Sequence, residues 1–435
     1  MSSRVTLKNV LSAEKHHCLL LNKISGSKYL ANRLLVIAAL SSEACTLDNL
    51  PENDDIRTLY RALLKLGYSL DWPLNGSLSS EGLSARKIPK NAVHIDCGAS
   101  GTMARFIVAV AALDNFPITI DGSERLRQRP MLPLFEALLE LGVSIESNNH
   151  FLPAKICGPI LHQKVSLPGD LSSQYASALL LIGSQLPQGL SLQLIEPVVS
   201  AQYIKMTCQI LKDAGVYIQQ QGFHYQVPNQ PLKLSHLALN ADPCSASYAI
   251  AAAILSKRSI TIKPFDYLPE QQGEFAMVDC LKKMGCSIEM GERWIRVTPP
   301  KTRLKGFIAN MSNMPDIVQT LTVLACFAEG TTRFEGISHL RYKESDRIVD
   351  TANEIAKLGA KVNYGEDFLE IEGAQPLTGT KLLSHDDHRM AMALAQFAWQ
   401  VDNIEIADPH VVNKSFPTFW PLMKTMGLEV TEASL

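Results

Sequence analysis

Residues Leu63 to Leu70 read LLKLGYSL, and the same pattern returns five more times along this chain of 435 residues. Each copy reads as the last turn of an amphipathic helix, then glycine, then residues that alternate between apolar and polar. Glycine suits the left-handed position just past a helix end, and period-two alternation predicts a strand. The glycines are 75, 73, 70, 74 and 68 residues apart, which predicts six copies of one structural unit. They are Gly67, Gly142, Gly215, Gly285, Gly359 and Gly427.

A second helix recurs between these glycines, and it is apolar nearly all round. It reads NRLLVIAAL from Asn32 in the first copy and MARFIVAVAAL from Met103 in the second. A helix that is apolar on most sides should be buried inside its unit. A strand follows each, so a unit reads strand, helix, strand, helix, strand, with helices inside and sheets outside. Six units suggest two lobes of three, and the break between them is predicted near Asn240 to Pro243.

The composition is that of an ordinary globular protein, with 46% apolar and 19% charged residues. The formal net charge of −2 gives no global basic field, so neither nucleic acid nor an acidic membrane is an expected partner. The sequence contains no run of 18 apolar residues, so no membrane span is predicted. The N-terminal stretch reads as part of the mature protein rather than as a signal peptide. The nine scattered cysteines form no CxxC pair, which favours reduced thiols in a cytoplasmic protein without structural zinc.

Polar segments stand just before the apolar helices, as in SGSKYLANR (25–33) and GASGTMAR (98–105). Simple capping by Ser, Asp or Gly is one explanation, and it suffices for DPCSASY, where Asp242 and Pro243 fit a helix start. Capping does not require the cations in the other segments. Free N–H groups at a helix start, together with glycine and cations, form an anion site. These cations and a neighbouring imidazole are Lys28, Arg33, Arg105, His388 and Arg389.

Three further segments carry cations: RYKESDR (341–347), ERLRQRP (124–130) and NKSFP (413–417). Any one of them alone reads as a solvated loop. Together they predict a ligand with about two anionic groups, such as phosphates or carboxylates.

The chain resembles the 5-enolpyruvylshikimate-3-phosphate synthase family (3-phosphoshikimate 1-carboxyvinyltransferases) along nearly its whole length. The resemblance is carried, in order, by GSK…NR (26–33), SGTMAR (100–105), RP (129–130), SSQ (172–174), SxxY (200–203), PD (315–316), RxKExDR (341–347), DHRMAM (387–392) and KSFP (414–417). It implies a two-lobed inside-out α/β barrel of six βαβαββ repeats, the enolpyruvyl transferase fold. Residues 1–26 and 241–435 would form one lobe and 27–240 the other, with the lobes closing over substrates.

The family transfers the enolpyruvyl group of phosphoenolpyruvate to the 5-hydroxyl of shikimate 3-phosphate and releases phosphate. The resemblance therefore implies these two small-molecule substrates, passage through a tetrahedral intermediate, no metal and no organic cofactor. The hydroxyl must lose a proton and the C3 methylene must gain one, so a base and an acid are needed. By similarity, Asp316 would be the base, Glu344 the acid, and Lys28 would assist phosphate departure. We expect a monomer in the cytoplasm.

The substrate contacts follow from the same motifs. For shikimate 3-phosphate they are Lys28, Arg33, Ser172, Ser173, Gln174, Ser200, Asp316 and Lys343. For phosphoenolpyruvate they are Lys28, Gly101, Arg129, Gln174, Arg347, Arg389 and Lys414. His388 would help proton movement or be a hydrogen-bonded structural imidazole, and Asp346 has no assigned role. Gly101 would leave room for the phosphoenolpyruvate phosphate and for glyphosate.

The sequence departs from the family pattern at several motif positions. Tyr29 replaces a small hydroxyl residue after GSK, and His339 stands where an Asn is often found. Ala99, Phe106 and Ala201–Gln202 also differ from the usual residues. Two alternatives remain at this point: the sister enzyme that acts on UDP-N-acetylglucosamine, whose cysteine-bearing loop has no clear match here, and a catalytically idle anion-binding protein of the same fold.

Overall fold

The computed structural model describes residues 3–11, 18–73 and 76–434. It divides into two compact units. The first unit comprises Met1–Ser25, Asn240–Pro269 and Gly273–Leu435, and the second comprises Gly26–Leu239 and Glu270–Gln272. Residues 12–17, which belong to the predicted 1–26 segment, lie outside the described residues.

The strands of the described residues form six four-stranded sheets, and all six share one pairing pattern. An edge strand runs parallel to its neighbour, as Val93–Asp96 does to Ile118–Asp121. That neighbour pairs antiparallel with Phe151–Cys157, which pairs antiparallel with Ser144–Asn148 at the other edge. Along the chain a helix follows each of the first two strands, and the chain then enters the edge strand Ser144–Asn148 and returns as Phe151–Cys157. The unit is therefore βαβαββ, and the prediction of six such repeats is confirmed.

The remaining sheets of the second unit repeat this order. They are His236–Ala238, Cys45–Asp48, Leu78–Ser80 and Leu70–Asp71, and then Lys164–Pro168, Leu190–Ile195, His224–Val227 and Gln219–Gln221. The three sheets of the first unit are Leu19–Leu21, Ile260–Ile262, Trp294–Thr298 and Ser287–Gly291; Ile308–Asn310, Thr331–Glu335, Phe368–Glu372 and Lys361–Tyr364; and Lys381–Leu382, Ile404–Ala407, Ser3–Asn9 and Leu428–Ser434.

One helix of each repeat is buried on nearly every side, as its apolar sequence predicts. In Lys28–Leu40 every residue except Lys28 is buried, and every residue of Pro243–Leu255 is buried. Each large aliphatic side chain removed from water in this way contributes about 1.5–3 kcal/mol, so these helices form the cores. The other buried helices are Gly101–Ala111, Ser173–Gly183, Val318–Cys326 and His388–Leu394, the last continued by the 3₁₀ helix Ala395–Trp399.

The second helix of each repeat is amphipathic and ends at the repeated glycine. All six glycines have positive φ, from 84° at Gly215 to 111° at Gly427, which confirms the predicted left-handed position. These helices are Asp54–Lys65, Leu132–Glu140, Ala201–Asp213, Met277–Lys283, Val349–Lys357 and Phe419–Met426.

Short helical segments complete the fold, and several of them carry polar residues of the motifs. One is the α-helix Glu124–Arg127, and the others are the 3₁₀ helices Leu83–Ala85, Gly273–Ala276, Pro315–Ile317, Ser338–Tyr342 and Pro409–Lys414. In the ranges that the structure describes, no helix is both long enough and apolar enough to span a membrane.

Candidate active site

The starts of the buried helices of the second unit lie close together. The three helices Lys28–Leu40, Gly101–Ala111 and Ser173–Gly183 pack against one another. At their starts, Gln174 Nε2 donates to Thr102 Oγ1 at 3.0 Å, and Ser172 Oγ accepts from the Gln174 backbone N–H at 3.2 Å. Side chains at the starts of two of these helices are therefore hydrogen-bonded to each other, and the partial positive charges of two neighbouring helix starts favour an anion in front of them.

Arg33 is a buried cation whose hydrogen-bond acceptors are all neutral. Its guanidinium is 2% exposed and donates to Thr207 Oγ1 at 2.7 Å, Tyr29 O at 2.9 Å, and Ser177 Oγ and Tyr203 O at 3.1 Å. Burial lowers the pKa of Arg33 to about 10, so the side chain still carries its charge at neutral pH. Among the residues that the structure describes, no carboxylate accepts from Arg33, and such a positive charge is suited to an anionic ligand.

Two more arginines of the second unit converge at Gly101. Arg105 donates to Gly101 O at 2.8 Å and to Pro130 O at 3.0 Å, and Tyr175 donates to the same Pro130 oxygen at 2.7 Å. Arg129 is 7% exposed. A Cβ added at Gly101 would overlap the guanidinium groups of both arginines, so a larger residue here would have to displace these two side-chain ends.

The other residues predicted for the second unit lie at helix starts. Lys28 begins its helix, and its Nζ lies 3.2 Å from the buried carboxylate of Asp55. Ser173 and Ser200 are both buried. Ser200 precedes the helix that carries Tyr203 and holds a left-handed φ of 52°, which costs a non-glycine residue about 1 kcal/mol or more.

In the first unit, one guanidinium binds three carboxylates. Arg347 is 1% exposed and donates to Asp316 Oδ1 at 2.6 Å and to Glu344 Oε2 at 2.8 Å. It also donates to both oxygens of Asp387, at 2.6 and 3.1 Å. Burial by itself lowers the pKa of Arg347, but Asp387, Glu344 and Asp316 outweigh it and raise that pKa above its ordinary value. Arg347 therefore stays charged and fixes the orientation of all three carboxylates.

Two further cations complete this cluster. Arg389 donates to the backbone oxygen of Asp316 at 2.9 Å, and its Nε lies 3.4 Å from Asp316 Oδ1. Lys414 Nζ donates to Glu344 Oε1 at 2.8 Å. Three cations thus face three carboxylates, and the cluster is electrically balanced as it stands. We call Asp316, Glu344, Arg347, Asp387, Arg389 and Lys414 the Arg347 cluster.

Asp387 connects the Arg347 cluster to a helix start. Its carboxylate accepts from the Arg389 backbone N–H at 2.9 Å and so caps the helix His388–Leu394, and it also accepts from Ser345 Oγ at 3.2 Å. His388 is 1% exposed, with Nδ1 3.7 Å from Asp387 Oδ1. Lys343 is half-buried next to Glu344 in the chain.

Not every cation of the motif segments belongs to these groups. Arg341 donates to Gly365 O at 2.6 Å, Glu366 O at 3.2 Å and Asp346 Oδ2 at 2.8 Å, so it braces a loop. Asp346, to which the sequence assigned no role, also accepts from the N–H groups of Ile348 and Val349, just before and at the start of the helix Val349–Lys357. Arg341 belongs to a segment that the sequence predicted to face a ligand, but in the structure it binds two backbone oxygens of one loop and the carboxylate of Asp346.

The three arginines of the segment ERLRQRP differ in exposure. Arg125 and Arg127 are exposed, and Arg127 pairs with Asp121 at 2.7 Å, whereas Arg129 is buried. In contrast, the prediction that Asp242 caps its helix is confirmed, since its side chain accepts from the N–H groups of Cys244 and Ser245.

Two acids of these groups were not among the predicted site residues. Asp387 is the first residue of DHRMAM, so its position in the motif was a usable signal. Asp55 lies in an ordinary first helix turn, where acids are common, and only the fold brings it to Lys28.

A sequence profile described as EPSP synthase (3-phosphoshikimate 1-carboxyvinyltransferase) matches residues 21–423. The chain belongs to the EPSP synthase family. Among curated members of this family, the 3-phosphoshikimate 1-carboxyvinyltransferase of Nostoc punctiforme is 35% identical over 408 residues, 92% of this chain and 94% of the relative. That of Methanoculleus marisnigri is 34% identical over 407 residues, 92% of this chain and 95% of the relative.

Solved structures show the same fold. The EPSP synthase of Acinetobacter baumannii superposes with a TM-score of 0.81 over 100% of both chains, at 23% sequence identity. The enolpyruvyl transferase NikO from Streptomyces tendae gives a TM-score of 0.78 at 17% identity, covering 100% of this chain and 99% of that one. The predicted enolpyruvyl transferase fold of the EPSP synthase family is therefore confirmed.

Proposed function

We propose that this chain transfers the enolpyruvyl group of phosphoenolpyruvate to the 5-hydroxyl of shikimate 3-phosphate, giving 5-enolpyruvylshikimate 3-phosphate and phosphate. This is the reaction named for its family and for its curated relatives. The observation that carries the proposal is the Arg347 cluster, where one buried guanidinium holds Asp316 and Glu344 at hydrogen-bond distance. A carboxylate that accepts a proton and a carboxylic acid that donates one are the two groups the addition needs.

The proposed roles in the first unit follow from charge. Asp316 takes the proton of the attacking hydroxyl, and Glu344 gives a proton to the C3 methylene of phosphoenolpyruvate. Arg347, Arg389 and Lys414 bind the phosphate and carboxylate of phosphoenolpyruvate, and Lys343 with Asp316 contacts shikimate 3-phosphate. In the elimination, Glu344 takes a proton back from C3, the C2–C3 double bond re-forms as the C2–O bond to phosphate breaks, and the proton held by Asp316 goes to the departing phosphate.

The balanced charge of the Arg347 cluster suggests how Glu344 becomes an acid. Lys414 and Arg347 both donate to Glu344, at 2.8 Å each. When a ligand phosphate takes Lys414 as a partner, Glu344 loses one stabilising cation and gains a neighbouring anion. Both changes favour the protonated carboxylic acid. Substrate binding would therefore prepare the proton donor.

The second unit supplies binding groups. Arg33, Ser172, Ser173 and Ser200 bind shikimate 3-phosphate. Gly101 and Arg129 bind phosphoenolpyruvate, and Lys28 and Gln174 contact both ligands, with Lys28 also assisting phosphate departure. The support for these assignments is that Arg33 has neutral acceptors, that Arg129 and Arg105 meet at Gly101, and that two helix starts lie beside Gln174.

We also propose that the chain acts as a cytoplasmic monomer without a metal or organic cofactor. The described cysteines, which include all nine, are free thiols, and this supports a reducing compartment. Light scattering on a size-exclusion column tests the monomer directly.

The test of the reaction is phosphate release from phosphoenolpyruvate with shikimate 3-phosphate, with UDP-N-acetylglucosamine, and with neither. Release that depends on shikimate 3-phosphate supports the proposal. Release only with the nucleotide sugar would indicate the sister reaction. No release under any condition, with both ligands still bound in calorimetry, would indicate an inactive binding protein and overturn the proposal.

A further inference from the structure

A second buried charge cluster lies in the first unit and takes no part in the proposed chemistry. Glu354, on the helix Val349–Lys357, is 1% exposed, and both oxygens of its carboxylate accept hydrogen bonds. Lys357 Nζ lies 2.7 Å from both of its oxygens, and the backbone N–H of Leu383 donates to Oε2 at 3.0 Å. His385 Nε2 lies 2.6 Å from Oε1. We call Glu354 and its two contacts with Leu383 and His385 the Glu354 clamp.

The imidazole of His385 lies between two carboxylates. Its Nε2 faces Glu354, and its Nδ1 lies 3.6 Å from Asp350 Oδ1. A ring nitrogen beside a carboxylate oxygen must carry the proton, so Nε2 donates to Glu354. Lys357 also contacts Glu354, and its own side chain is 40% exposed.

The backbone that the clamp holds is strained. His385 and Asp386 are consecutive non-glycine residues with left-handed φ values of 52° and 54°. Such residues cost about 1–3 kcal/mol each and persist only where surrounding contacts hold them, often at functional sites. The Glu354 clamp supplies those contacts, because it binds the chain at Leu383 and again at His385.

The strained turn leads directly to the Arg347 cluster. The backbone N–H of Asp387 donates to Ser384 O at 2.9 Å, closing the turn. The side-chain carboxylate of the same residue, Asp387, binds Arg347 at 2.6 and 3.1 Å. It also caps the helix that carries Arg389. The position of Asp387, and through it of both arginines, thus depends on the geometry of the 383–386 turn.

We propose that the Glu354 clamp is a positioning device for the two arginines that bind phosphoenolpyruvate. Glu354 and His385 act as positioning residues: they hold the turn, the turn places Asp387, and Asp387 fixes Arg347 and the start of the Arg389 helix. This inference rests on the proposed function. It adds two residues outside the family motifs that determine the affinity for one substrate of the pair.

The decisive variant is His385→Leu, which keeps a side chain of similar reach and removes the donor to Glu354. A displacement of catalytic groups of about 1 Å can cost up to about a hundredfold, so we expect the KM for phosphoenolpyruvate to rise about tenfold. The KM for shikimate 3-phosphate should change less than about twofold, since Arg33 and the serines belong to other elements. His385→Gln, whose amide can donate to Glu354, should recover most of the loss.

Lys357→Gln is the matched control, because Lys357 contacts both Glu354 oxygens and, among the described residues, no hydrogen bond or ion pair joins it to the 383–387 turn. Its KM values should equal those of the wild type. A role in stability alone would lower the melting temperature and the active fraction of His385→Leu while leaving both KM values unchanged, and that result would overturn the inference. A parallel rise in both KM values would overturn it too.

Failure of the proposed function and failure of the clamp proposal give different results in these experiments. If the wild type releases no phosphate with either acceptor, the proposed function fails, and the clamp is then tested by titrating the proteins with phosphoenolpyruvate alone in a calorimeter. If His385→Leu does not fold, Glu354→Gln carries the same expectation, because its amide cannot serve both Leu383 and His385 as a charged carboxylate does. Unchanged phosphoenolpyruvate affinity in Glu354→Gln would contradict the proposal.

Discussion

Replacing Glu344 by Gln tests the proposed acid with the smallest change in shape. The side chain keeps its volume and one acceptor oxygen, but it can no longer give a proton at neutral pH. General acid catalysis by a positioned side chain contributes about 10²- to 10⁴-fold, so turnover should fall by that factor. Because Asp316, Arg33 and Lys343 are untouched, equilibrium binding of shikimate 3-phosphate should stay within about twofold of the wild type.

The charges around Glu344 also determine how Glu344→Gln should change the affinity for phosphoenolpyruvate. Glu344 neutralises part of the charge on Arg347 and Lys414, at 2.8 Å from each. Removing its charge changes the Arg347 cluster from three cations against three carboxylates to three against two. The ligand is anionic, so its affinity should not fall. A drop in turnover without a rise in the KM for phosphoenolpyruvate is therefore the specific expectation.

The stability cost should be modest and measurable. The amide can accept from only one of the two cations, and a partner left without its acceptor costs about 1–3 kcal/mol when buried. Glu370→Gln is the matched control: it also removes a carboxylate from an arginine, Arg333 at 3.1 Å, but on an outer sheet. Phosphate release and calorimetric binding are measured for both variants. Near-normal turnover in Glu344→Gln would refute the assignment of the acid.

Three further predictions use single substitutions. Gly101→Ala should raise both the KM for phosphoenolpyruvate and the inhibition constant of glyphosate, because its Cβ would overlap Arg105 and Arg129; unchanged constants would mean that Gly101 does not border that ligand. His339 is buried, and burial followed by Lys343 lowers its pKa to about 4, so the unfolded state binds more protons between pH 4 and 6.5. Stability should therefore fall by about 2 kcal/mol from this residue between pH 7.5 and 5, and urea unfolding of His339→Asn should lack that part of the decrease. Arg341→Gln should lower the free energy of unfolding by about 1–2 kcal/mol and leave both KM values unchanged, whereas a raised KM would show that Arg341 contributes to substrate binding.

The repeated elements of the fold were predictable because their signals are local. A glycine in the left-handed position after an amphipathic helix, such as Gly142, and an apolar helix such as Pro243–Leu255 each follow from a few neighbouring residues. The sheet order was not predictable in the same way. His236–Ala238 pairs with Cys45–Asp48 across nearly 200 residues, and Ser3–Asn9 pairs with the last strands of the chain.

The candidate site was likewise predictable only where the signal was local. Motifs indicated which cations to consider, but not which of them the protein itself would bind. Arg341 and Arg347 are six residues apart in one motif, and only the fold shows that the first braces a loop while the second joins Asp316 and Glu344. The Glu354 clamp had no sequence signal at all, because an acid on an amphipathic helix is ordinarily exposed.

Arg33 and Arg105 have a practical consequence for anyone who purifies this protein. Both are nearly inaccessible, and within the described chain neither has a carboxylate at ion-pair distance. Small inorganic oxyanions in a buffer would be attracted to the same positive charges. Sulfate or phosphate carried through chromatography should therefore raise thermal stability. It should also compete with the proposed phosphate-bearing substrates, so that KM values measured in such buffers would be higher than those measured without these anions.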